Sequence, residues 1–155
     1  MAAIRAAELG NEVTILEKME RLGRKLLITG KGRCNITSSI DIKEFIPNIP
    51  GNGLFLHSSF RNYTNTDLIN FFEENGLNVK TERGNRIFPV TDKSVDVLNV
   101  LLNKLKELNV KIKTNISVEK IIIENGNAVG VAYHATRTTI AKIAYHTTHT
   151  NNICR

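Results

Sequence analysis

Apolar positions change period several times along this chain, and each change predicts an element. Residues 1 to 9, rich in the strong helix formers Ala, Leu and Glu, predict a helix, with Gly10 where a left-handed C-terminal cap belongs. No capping residue precedes it, because the sequence opens inside the helical pattern. Val13 to Leu16 is a short apolar run closed by Glu17, the pattern of a buried parallel strand. Helix, tight turn and strand in that order predict the second half of a βαβ unit. Residues 21 to 37, RLGRKLLITGKGRCNIT, are dense in glycine and basic residues and predict a loop with a short helix. From Ser38 to Ser59 no period holds, and Pro47, Pro50, Gly51 and Gly53 predict turns.

Periodicity returns in the second half. Asn65 or Thr66 is a candidate cap for a helix over Asp67 to Asn75, whose apolar face is Leu68, Ile69, Phe71 and Phe72, with Gly76 ending it. Val79 to Arg83 and Arg86 to Val90 predict two short strands joined at Gly84 and Asn85. The clearest helix is Ser94 to Leu108, where Val97, Leu98, Leu101, Leu102, Leu105 and Leu108 recur at helical spacing. Strands are predicted at Val110 to Thr114, Val118 to Glu124 and Ala128 to Tyr133, the last two around the hairpin signal Asn125-Gly126-Asn127. After Tyr133 the text loses its acidic residues and gains threonines, and it predicts neither a continued strand nor a helix. Residues 134 to 155 therefore read as a separate tail, either disordered or the out-of-frame product of a disrupted gene.

Composition adds bounds. The chain has 155 residues, 41% hydrophobic and 23% charged, enough for one globular domain with an ordinary core. It has no apolar run long enough to cross a membrane and no signal-peptide pattern, so a cytoplasmic protein is expected. Cys34 and Cys154 are too few and too far apart in sequence for a disulfide scaffold or a CxxC pair. A net charge of +6 admits an anionic partner. Yet the basic residues are scattered along helical stretches, and aromatics are only 6%, without the alternation that stacks single-stranded nucleic acid. No nucleic-acid partner is expected.

Two features bear on chemistry. In dinucleotide-binding folds an acidic residue about 20 positions after the start of a GxGxxG turn accepts hydrogen bonds from the ribose hydroxyls. Glu17 ends its strand in the place for that role, and counting back lands just before Met1, so the glycine turn is expected immediately upstream. The bland alternative, a solvated residue at a strand end, stays open. The run from Gly23 to Asn35 combines glycines, which let a backbone approach a ligand, with Arg and Lys donors suited to phosphate. It is not a Walker A loop, because GKGRC lacks the GK[ST] ending. On residue chemistry alone it points to an anionic cofactor or to a basic surface loop. His57 has no ligand spacing around it, and His146 and His149 stand at i and i+3 in the threonine-rich tail, so no metal site is expected.

The segment ELGNEVTILEKMERLGRKLLITGKGRCNIT resembles the N-terminal region of the BaiN-like flavoproteins, a family of NAD(P)/FAD-dependent oxidoreductases also described as aminoacetone-oxidase-like. FRNYTNTDLINFFEENGL and ERGNRIFPVTDKSVDVLNVLLNKLKE resemble the same family, so the likeness covers roughly residues 1 to 131. It implies an FAD-binding fold in which Glu17 faces the ribose and the adjoining Lys18 also belongs to the cofactor site. It further implies that Gly23, Arg24, Lys25, Thr29, Gly30, Gly32, Arg33, Cys34 and Asn35 line the pyrophosphate and flavin, with Val118 beside the adenine. Cys34 would be a small residue packed beside the flavin. Two departures from the family are expected: no glycine-rich turn at the front, and a tail from His134 unlike the family's continuation.

The fold class expected is α/β, an incomplete Rossmann-type FAD/NAD(P)-binding domain over residues 1 to 133 with an inserted helix and hairpin portion over about 55 to 109. The function implied is electron transfer between a small-molecule substrate and an acceptor through bound FAD, with NAD(P)H a candidate electron donor. No catalytic residue is nominated. The chain by itself is expected to hold FAD weakly or not at all and not to be catalytic. The alternatives are a non-catalytic basic module binding an anion through Arg24, Lys25, Lys31 and Arg33, and a nonfunctional product of a broken gene.

Overall fold

The structure, a computed structural model, describes residues 1–135 and 140–144. Its first helix, α1 (Ala2–Glu8), ends at Leu9, and Gly10 takes φ +84° to turn the chain. Strand β1 (Thr14–Leu16) follows and pairs in parallel with β5 (Lys111–Lys113), Thr14 opposite Lys111 and Leu16 opposite Lys113. Parallel pairing of strands so distant in sequence needs a crossover, and the 14-residue helix α6 (Ser94–Glu107) completes it. The half βαβ unit expected from the pattern is thus present. Its strand is half-buried along its length, where a fully buried one was expected.

Two apolar clusters hold the molecule together. Ile4 of α1, Leu105 of α6 and Val110 are buried against Val13, Ile15 and Leu22, which seats α1 and α6 on β1. Phe72, Leu77, Val97, Val100 and Cys34 form the second cluster. It packs α6 against α5 (Asn65–Glu74), with Leu26 of α2 (Arg24–Ile28) alongside. Phe71 and Leu101 touch both clusters, so the two cores are continuous.

Strand β2 (Thr37–Ser38), β3 (Val79–Glu82) and β4 (Arg86–Pro89) make a small antiparallel sheet in the order β2-β4-β3. The expected hairpin turn is there, with Gly84 and Asn85 both left-handed at φ +76° and +57°. β6 (Ile116–Glu124) and β7 (Asn127–Ala135) form the second expected hairpin. Asn125 and Gly126, at φ +51° and +78°, supply the two positive φ values of a two-residue turn.

Three expectations need correction. The cap of α5 is Thr64, whose hydroxyl accepts from the Asp67 backbone N–H while the Asp67 carboxylate accepts from the Thr64 N–H at 2.7 Å, a reciprocal capping box. Asn65 is instead buried, and its amide donates to the carbonyls of Ser38 and Ile40 at 2.6 and 2.8 Å. The stretch from 38 to 59 is not aperiodic loop: α3 (Ile42–Phe45), α4 (His57–Asn62) and two single 3-10 turns occupy much of it. Asp41 caps α3 by accepting from the Lys43 N–H, and the Phe45 and Phe60 rings meet with centroids 5.2 Å apart. Lastly, β7 continues past Tyr133 to Ala135, and Ile140–Ala144 is a further strand, β8, antiparallel to β7. Ile140 and Ile143 suit a pleated strand, and β7 offers an edge for β8 to join. His146, His149 and Cys154 lie outside the described residues. No helix among the described residues is long and apolar enough to cross a membrane.

Candidate functional site

Glu17 stands at the C-terminal end of β1. Its N–H donates to the Lys113 carbonyl and its own carbonyl accepts from the Ile116 N–H, both at 2.9 Å. These bonds extend the β1–β5 ladder and bring the start of β6 beside Glu17. Val118, two residues along β6, therefore lies near the same strand end and is partly exposed. The Glu17 carboxylate accepts from the Met19 N–H at 2.8 Å, so it is turned back over the strand end. Lys18 is exposed there. A carboxylate at the carboxyl end of a parallel strand is where open α/β sheets meet their ligands.

The loop from Gly23 to Asn35 is built around left-handed residues. Gly23, at φ +78°, precedes α2 and lies so close to α6 that a Cβ there would meet Leu98 Cδ1 at 2.5 Å. Ser94, at the start of α6, donates its hydroxyl to the Leu27 carbonyl at 2.9 Å, tying α2 to α6 a second time. Gly30, Lys31, Gly32 and Cys34 all have positive φ, at +54°, +57°, +85° and +61°. Two backbone bonds hold the turn, Arg33 N–H to Gly30 and Cys34 N–H to Thr29. The Thr29 hydroxyl is spent on the Leu26 carbonyl at 2.7 Å.

The side chains of this loop divide by direction. Cys34 points inward, 6% exposed, among Phe72, Leu77, Val97 and Val100. Arg24 and Lys25 are exposed, Arg24 within 3.6 Å of Glu20. Asn35, with its amide nitrogen turned toward the carbonyls it faces, donates to Thr37 and Ile87 at 3.0 and 3.2 Å. Arg33 reaches across to the β3–β4 hairpin. It pairs with Glu82 and makes two bonds to Asp92 at 2.8 and 2.5 Å, with its guanidinium 4.3 Å above the Phe88 ring. Lys80 completes the cluster, 2.7 Å from Asp92. The bond from Arg33 holds Glu82 below the usual carboxylate range. The bonds from Lys80 and then Arg33 do the same for Asp92.

Sequence reasoning found the loop but not these carboxylates, which stand 49 and 59 positions away from Arg33. No spacing rule joins them to it; only the fold does. A cleft of about 520 Å³ opens between α1 and α5, bordered by Ile4, Tyr63 and Phe71, and none of the predicted cofactor residues lines it. Among the described residues no cluster of His, Cys, Asp and Glu could hold a metal ion.

This geometry can be set beside known proteins. The chain is 35% identical over 124 residues to a 3-dehydro-bile acid delta(4,6)-reductase of Clostridium scindens, covering 78% of this chain and 29% of that one. It is 30% identical over 87 residues to a ribosomal RNA dihydrouridine synthase of Haemophilus influenzae, covering 56% and 21%. The chain thus spans less than a third of the length of these curated relatives. The crystal structure of THI4 from Thermovibrio ammonificans superposes with a TM-score of 0.61 over 92% of this chain and 48% of that one, at 12% identity, a likeness of fold. The profile of the HI0933-like protein Rossmann domain matches residues 1–147, past residue 131 where the resemblance in sequence stops and into the segment expected to depart from the family. Its extent over nearly the whole chain places the protein in the HI0933-like Rossmann-domain family, with an α/β fold of Rossmann type.

Proposed function

We propose that this chain contributes part of an FAD site to an oxidoreductase. The observation that carries this reading is the placement of Glu17. An acidic residue ends the parallel strand that follows α1, and β6 with Val118 runs beside it, where a Rossmann fold meets the ribose and adenine. The glycine-rich loop from Gly23 to Asn35 supports it. Its backbone is exposed at Gly30 and partly exposed at Gly32, and exposed Arg24, Lys25 and Lys31 offer cationic donors for a pyrophosphate. The names of the curated relatives, a reductase and a dihydrouridine synthase, agree with redox work on an unsaturated ring. When bound, FAD supplies the electron transfer. The residues here orient it: Glu17 accepts from ribose hydroxyls, and the loop backbone approaches the phosphates. A small-molecule substrate and NAD(P)H as electron donor complete the reading.

A GxGxxG turn, which carries the pyrophosphate in dinucleotide folds, does not occur in these 155 residues. The chain alone therefore binds FAD weakly. Titration of FAD with the purified chain, followed by flavin fluorescence, checks this: saturable, weak binding is expected, reduced further in Glu17→Gln. A tight stoichiometric complex would overturn the weak-binding part, and indifference to Glu17→Gln would overturn the assignment of that residue. The second reading, a basic module for an anionic partner, is disfavoured by the ion pairs that occupy Arg33. It would show itself as binding to simple polyanions that collapses with salt and owes nothing to the flavin ring.

A further inference from the structure

We propose that Arg33 is a positioning residue: clasped by Glu82 and Asp92 of the β3–β4 region, it fixes the loop of residues 29 to 35, in which Gly30, Lys31, Gly32 and Cys34 are left-handed, and does not itself meet the cofactor phosphates. The loop-holding half of this inference stands on geometry alone, while its consequence for FAD rests on the function proposed above.

Three of the five N–H donors of Arg33 are committed to carboxylates. Nε and Nη2 are committed to Asp92, Nη2 also to Glu82, and one face of the guanidinium covers Phe88. Lys80 bonds to Asp92 and lies 3.6 Å from Glu82. Two cations and two carboxylates make a quartet without net charge, which gives no long-range pull on a phosphate. A residue kept only for its positive charge would not be neutralised by two partners.

The backbone that this quartet anchors needs anchoring. Lys31 and Cys34 carry a Cβ yet adopt positive φ, a conformation disfavoured for residues with side chains. Gly30 sits tightly as well, since a Cβ there would meet the Asn35 nitrogen at 3.1 Å and the Phe88 ring at 3.2 Å. Arg33 lies in the middle of this run and bonds to two sites outside it. Glu82 ends β3, and Asp92 lies in the turn after β4, where its own N–H donates to the Pro89 carbonyl at 3.0 Å. The clasp therefore ties the position of a folded hairpin to a loop whose own turn is held by two backbone bonds. Cys34 is the reporter: its burial depends on the same backbone.

The test uses the whole chain with Cys154→Ser, so that Cys34 is its single thiol. Modification of Cys34 by a thiol reagent is timed without flavin, and FAD affinity is measured in parallel. Arg33→Ala and Asp92→Asn should each speed modification by roughly tenfold, the scale set by losing a charged hydrogen bond. Arg33→Lys should recover part of the protection, because it keeps the charge but not the forked geometry. Lys111→Ala, which breaks the distant pair with Glu12, should leave the rate unchanged. Asp92→Asn is the decisive variant for the cofactor. If Arg33 is a clasp, FAD binding weakens as in Arg33→Ala. If freeing Arg33 from Asp92 strengthens or preserves FAD binding while Cys34 stays protected, the clasp is overturned and Arg33 is a direct ligand. Faster modification with no FAD binding in any variant, wild type included, would uphold the clasp and sink the cofactor reading instead.

Discussion

Gly23 shows how a single position can report the packing of the site. It needs φ +78°, and an added Cβ would also press on the Leu98 side chain of α6. Gly10 needs a similar φ of +84° but has open space around it. Gly10→Ala should therefore cost about 1 kcal/mol, the price of the left-handed backbone, whereas Gly23→Ala should cost roughly 2–4 kcal/mol once overpacking is added. Urea unfolding midpoints of the two variants check the difference; equal shifts would mean that Leu98 yields freely. The glycines and cations of this loop were legible in the sequence because they are dense and local. What Arg33 touches was not, because Glu82 and Asp92 come from other elements. The resemblance implied that Arg33 lines the cofactor, and in the structure its guanidinium is turned to the hairpin. Asn65 was misread: it looks like a helix cap, but burial gives it two carbonyls to hold.

Among the elements, helices with a clear apolar stripe were placed within a residue or two, as α6 shows. Its Leu105 is 6% exposed in the cluster that joins α1 to β1. Leu105→Ala should destabilise the chain by about 2–5 kcal/mol, read from denaturant unfolding. Helix α5 depends on its start. Thr64→Ala removes one arm of the capping box and should cost about 1 kcal/mol by the same measurement. The start of α5 was expected at Asp67, two residues late, because the apolar face begins at Leu68, four residues after the cap. Short helices such as α3 and α4 offer too few turns for a period to show, and so they read as loop. Strand β8 was missed because a five-residue strand that joins an existing edge carries its signal in the partner, not in itself.

At the scale of the whole molecule, the β1–β5 ladder and its two flanking helices place Glu17, and the small β2–β4–β3 sheet places the loop that follows. The charges that join these parts are acid-sensitive. Glu82 and Asp92 are held below the ordinary carboxylate range by Arg33 and Lys80, with Arg86 the other cation over Phe88. A depressed carboxylate stabilises the fold above its unfolded value and loses that contribution as pH falls through its folded one. The melting temperature should thus fall as pH drops below about 4, where unfolded carboxylates titrate, and fall less in Asp92→Asn; an identical acid limb in both would contradict the assignment. The reading of this chain as part of an FAD site is tested most directly by backbone amide NMR of the ¹⁵N-labelled protein during FAD titration, a measurement that tolerates weak binding. The account predicts progressive shifts at Glu17 and Lys18, along Gly23 to Asn35, and at Val118 where β6 passes the strand end. Shifts confined to other surfaces, or amides at those positions that stay fixed as FAD is raised, would contradict it.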